Sequence, residues 1–146
     1  MASIRDLEQQ GLVEPFAASL QEIDGLLEVA DRDLAAARHM LPFNTDWSLA
    51  IAYNAALQAV LALMYACDYR PRGTDKHKTA LDFATAVLGE PFRRQIAHLN
   101  RLRRKRHQTL YQAAGLVSQT DAEDALAFAE QFVTSLKLVI REKLRE

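Results

Sequence analysis

Between Trp47 and Cys67 the chain places apolar side chains on nearly every side of a helix. At about 100° per residue, Ala52, Ala56, Leu57, Val60, Leu61, Leu63 and Met64 cover most of the circumference. Such a helix is either central in a bundle or also supplies a subunit interface. Asn54 and Gln58 interrupt the run, which argues against a membrane span. Four residues apart on an apolar helix, they need hydrogen-bond partners, either in a buried network or along a polar site.

Helix breakers arrange the rest of the chain around this segment. Ser3 with Asp6 can cap a short helix over residues 3–11. After Pro15 a helical pattern runs to about Met40, with a break expected near Asp24-Gly25 and an apolar face at Leu26, Leu27, Ala30, Leu34, Ala37 and Leu41. Pro42 closes it. Asn44-Thr45-Asp46 caps the apolar helix, which should run to about Tyr69. Arg70-Pro71-Arg72-Gly73-Thr74-Asp75 reads as a loop, followed by a helix from about Lys76 to Leu88. Pro91 suits the first position of a basic helix expected to end near Gly115. Thr120 and Glu123 then form a capping box before a last helix with Ala122, Ala125, Leu126, Ala129, Phe132, Val133, Leu136, Val139 and Ile140 on one face. With no strand signal, the expected fold is all-α: one domain over residues 1–146, a bundle of four to five main helices.

Charge singles out the basic helix. Arg93, Arg94, Arg101, Arg103, Arg104, Lys105 and Arg106 are seven of the eighteen Lys and Arg residues, yet the net charge is −1. A cationic helix on an otherwise acidic chain suits phosphate binding. Phe92, Ile96, Leu99, Leu102, Leu110 and Ala113 share its apolar face, and Arg101, Arg104 and Lys105 point away from it. Arg103 and Arg106 fall within or at the edge of the apolar sector, where a guanidinium must snorkel out or meet an acid. Asp33 is a candidate acid. Arg103, His107 and Tyr111 form one stripe beside the core.

Other chemistry finds little support. The lone Cys67 sits in an apolar run and reads as a small core residue. His39 and His98 read as surface or helix-end residues, and His77 as a helix-start residue with a lesser claim to a site. Neither a metal-ligand spacing nor a glycine-rich phosphate loop occurs, so no metal and no cofactor is expected. Met1 to Gly11 is charged and lacks the apolar stretch of a signal peptide, which makes the cytoplasm the expected setting.

These residues resemble the HEPN superfamily over residues 24–140. Leu26-Leu27-Glu28-Val29-Ala30-Asp31-Arg32-Asp33-Leu34 is similar to its first long helix, and Tyr53-Asn54-Ala55-Ala56-Leu57-Gln58-Ala59 to its second. His77-Lys78 falls where many members place a histidine, and Thr120 to Val139 resembles the closing helix. The resemblance implies a homodimer and, in active members, metal-independent RNA cleavage by an arginine and a histidine on the basic helix. Two registers compete. Arg101 and His107 have a permitted spacing; alternatively Arg106-His107-Gln108-Thr109-Leu110-Tyr111 aligns with tyrosine in place of the histidine. The second register is favoured, with Arg106, His107 and Tyr111 at the catalytic positions. Arg101, Arg103, Arg104 and Lys105 then serve nucleic-acid binding. A phenol is a poor proton acceptor near neutral pH, so the expected function is RNA or nucleotide binding with a degenerate ribonuclease motif. The alternatives are an active endoribonuclease of the toxin kind, with an antitoxin protein as partner, and a non-enzymatic interaction module.

Overall fold

The computed structural model describes residues 2–146. Helix α3 (Thr45–Ala66) is its central element, with thirteen side chains buried, Ala52, Tyr53, Ala56, Ala59, Val60, Leu63 and Met64 among them. Its many alanines let neighbouring helices approach closely. Helices α2 (Leu20–Met40) and α6 (Gln119–Leu144) pack along α3, and α4 (Lys76–Leu88) and α5 (Arg93–Tyr111) close further sides. Most of the apolar circumference of α3 is thus covered within one chain, Trp47 at its start being the exposed exception. By length and composition α3 could cross a membrane, but two thirds of its most apolar window (67%) is buried in the bundle.

Caps set most helix starts. Ser3 with Asp6 opens α1 (Ile4–Gln9), Ser19 with Glu22 opens α2, and Asn44 and Asp75 cap α3 and α4. Each such cap contributes about 0.5–2 kcal/mol. The break expected at Asp24-Gly25 is absent: packing of α2 on α3 overrides the cost of about 1 kcal/mol for an interior glycine. Helix α3 stops at Ala66, short of Tyr69, because Asp68 turns the chain in the left-handed region at φ 64°.

Strands are present, against expectation. β1 (Val13–Pro15) pairs antiparallel with β2 (Tyr69–Pro71), Val13 opposite Pro71 and Pro15 opposite Tyr69. Arg70 Nε donates to Glu14 Oε1 at 2.6 Å across the pair. Three residues are too few to display a two-residue alternation, so the β2 half of the expected loop carried no strand signal.

Helix α5 also departs from expectation at both ends. Pro91 lies in a separate 3-10 turn (Glu90–Phe92) before it, and the helix ends at Tyr111 rather than near Gly115. The following loop is pinned to the start of α3: Gly115 N–H donates to Asp46 Oδ2 at 2.8 Å, and Thr45 Oγ1 to the Val117 carbonyl at 2.7 Å. Buried Val117 fixes where α6 begins, so its cap is Ser118 with Asp121 rather than Thr120 with Glu123. Ile96, Leu99, Leu102 and Thr109 are the buried face of α5; Leu110 is half-buried and Ala113 lies exposed beyond the helix.

Candidate functional site

Where the start of α4 meets the second half of α5, a cavity of about 450 Å³ opens. Arg103, Arg104, Arg106 and His107 line it from α5, and His77 and Asp75 from the α4 side. Arg103 and His107 lie one turn apart, so both can face the same space. Arg103 Nε donates to Asn100 Oδ1 at 3.0 Å, and its two terminal nitrogens have no partner among the described residues. The Arg106 guanidinium lies 5.7 Å from the Tyr53 ring centroid. Among the described residues, none of Arg103, Arg104 and Arg106 forms a salt bridge. Of the outcomes expected for Arg103 and Arg106, the acid partner is not found among the described residues; a neutral amide and an aromatic face lie beside them instead. The one carboxylate on the wall, Asp75, is engaged as the α4 cap, accepting from Lys78 N–H at 3.3 Å.

Behind these cations lies a pair from two different helices. Tyr53 Oη and His77 Nδ1 are 3.2 Å apart. Burial pushes the Tyr53 hydroxyl up to about 12, against the opposing pull of Arg103 and Arg106. His77 is held below the ordinary histidine value, first by burial and then by Arg106, with Asp75 opposing and Arg103 adding to the effect. Tyr53 therefore stays protonated and His77 neutral at pH 7. His77 Nδ1 is the one acceptor the Tyr53 hydroxyl meets among the described residues. The other ring nitrogen, Nε2, has no partner among the described residues, and His77 lines the cavity.

The other candidates separate. His107 is exposed, and its ring lies tilted at 44° against that of Tyr111 with centroids 4.9 Å apart. Tyr111 is 67% exposed and does not line the cavity. Arg101 and Lys105 turn toward α6, into a groove shared with His98, Asp121 and Asp124, so Arg101 and His107 line different depressions. His98 is half-buried there, its ring 4.2 Å from that of Phe128. A further groove between α4 and α5 shares Arg103 and Arg104 with the main cavity. Asp33 pairs with neither α5 arginine. Its Oδ1 accepts from Arg32 and its Oδ2 from Asn54 Nδ2 at 2.7 Å, because α3 brings Asn54 to it directly.

Sequence reasoning missed Tyr53, which sits in an apolar run and reads as core. It undervalued His77, whose place just after the loop at the start of α4 was the available signal. No curated protein matches the chain. The family model for the HEPN domain matches residues 23–139, which contain every residue lining the cavity and stop short of α1 and β1. At the level of the superfamily this supports a nucleotide- or RNA-related role. A helical bundle matched over most of its length, the chain belongs to the HEPN domain family.

Proposed function

We propose that the protein binds RNA or a nucleotide through the α5 cavity, and that its ribonuclease site is degenerate. The observation that carries this reading is the set Arg103, Arg104 and Arg106, three guanidinium groups without a carboxylate partner around one cavity. Uncompensated cations in a concave site favour an anion, and phosphate oxygens accept from arginine in pairs. His77 adds a neutral imidazole on the same wall. Metal-free cleavage also needs a group to move the 2′-hydroxyl proton. The position that the resemblance gives to a histidine holds Tyr111, which lies outside the cavity. A homodimer belongs to this reading through the family resemblance, although α3 no longer motivates it.

Fluorescence anisotropy with a labelled single-stranded RNA tests the binding. Affinity should fall with salt with a log–log slope of about −0.7 per phosphate contact. Arg103→Gln with Arg106→Gln should flatten that slope. Binding that is insensitive to salt, or unchanged in the double variant, refutes the reading. Cleavage of the same RNA tests the degeneracy: Tyr111→His should raise activity and His107→Ala should matter little. Efficient cleavage by the wild type, abolished in His107→Ala, would establish an active nuclease instead. Sedimentation at tens of micromolar tests the dimer separately, and a monomer there leaves the binding reading standing.

A further inference from the structure

We propose that a nucleobase subsite adjoins the phosphate cavity, in a recess lined by Arg32, Asp33, Trp47, Ile51, Asn54 and Arg106. The inference rests on the phosphate reading above and specifies the ligand further: a nucleotide unit, with phosphate on one side of Arg106 and base on the other. Arg106 is the link, since it lines both the main cavity and this recess of about 220 Å³. A nucleotide has the matching layout, an anion and a flat ring held apart by a sugar.

The recess has the parts a base requires. Trp47, the only tryptophan in the chain, is 51% exposed at the start of α3 while most of that helix is buried. With Ile51 and Leu110 it supplies the apolar lining, and the Arg106 guanidinium borders the same recess, so a base there meets an indole and a cation. Polar groups for a base edge lie in the same recess. Asp33 is 6% exposed and locked by Arg32 and Asn54. The Asn54 amide spends a nitrogen on Asp33, and its oxygen has no partner among the described residues. Inorganic phosphate or a sugar phosphate would use only the cationic half.

Trp47 reports on its own occupancy, because the emission of the chain's single indole is quenched when a base stacks on it. The wild-type chain is titrated at low salt with adenosine monophosphate, ribose phosphate and a single-stranded oligonucleotide. The nucleotide should bind tighter than ribose phosphate by roughly 5- to 150-fold, the span of base–aromatic stacking, and should quench the emission. Trp47→Ala, with folding checked by circular dichroism, should bring nucleotide affinity down to that of ribose phosphate, and Trp47→Phe should retain most of the difference. Quenching by the oligonucleotide alone also supports the subsite and assigns its source to RNA rather than a free nucleotide. Equal affinity for nucleotide and ribose phosphate with unmoved emission overturns the base subsite and leaves the phosphate reading intact. Binding of none of the three removes the phosphate reading and this inference together. Emission that changes with protein concentration and not with any ligand also overturns it, and shows that a second copy covers Trp47.

Discussion

Replacing Asp33 with alanine should cost about 2–3 kcal/mol, nearly all of it from one bond. Asp33 is almost fully buried and accepts on both oxygens. Arg32, on Oδ1 at 3.0 Å, has a side chain 70% exposed, so water screens that pair and it contributes about 0–1 kcal/mol. Asn54 Nδ2, on Oδ2 at 2.7 Å, makes a charge-assisted bond in a half-buried place, which contributes about 1.5–3 kcal/mol. Urea unfolding of Asp33→Ala, Arg32→Ala and Asn54→Ala, with the Asp33/Asn54 double variant, separates the two contributions. The expected order is a large loss for Asp33→Ala, less than ~1 kcal/mol for Arg32→Ala, and a clear coupling between Asp33 and Asn54. The denaturant slope should not change, because the exposed surface does not. If Arg32→Ala cost as much as Asp33→Ala, or the cycle showed no coupling, the argument from screening would fail. Coupling of Asp33 to Arg106 instead would restore the pairing across to α5.

The folded state holds His77 below its ordinary value of 6.5, so as pH falls the unfolded chain takes up that proton first. Its contribution to stability is therefore present above about 6.5 and lost as pH descends through the folded value, which urea midpoints across mildly acidic pH will show. Arg106→Gln removes the second largest cause of that depression and should raise the His77 pKa, read from its imidazole NMR shifts; an unchanged value would show that the guanidinium does not act on the ring. Asp68→Gly should stabilise by up to about 0.5–1 kcal/mol, because φ at 64° is free of strain only for glycine, although aspartate bears it better than most residues. A loss in thermal unfolding would mean that the Asp68 side chain holds the turn.

Much of the fold was legible because helices announce themselves locally. The periodic faces of α2 and α6, the apolar α3, and the caps at Ser3 and Asn44 are short-range features. The errors arose where distant residues decide. Ser118 and Thr120 each stand three residues before an acid, and burial of Val117 chooses between them. Nothing local shows that Asp46 and Thr45 hold the loop that ends α5. The site divides in the same way. The cations of α5 are contiguous in sequence and visible as a cluster. Tyr53 and His77 are twenty-four positions apart on different helices, and only packing of α4 on α3 joins them.

The β1–β2 ribbon bears on the order in which the chain can assemble. It joins Glu14 to Arg70, fifty-six positions apart, with the whole of α2 and α3 between them. Closing so long a loop for a few backbone bonds is entropically unfavourable while the intervening chain is loose. Once α2 and α3 lie side by side, the two ends are already neighbours and little closure entropy remains. The α2–α3 hairpin, rich in near-sequence pairings, is the part suited to form early, and the ribbon with α1 behind it the part suited to close late.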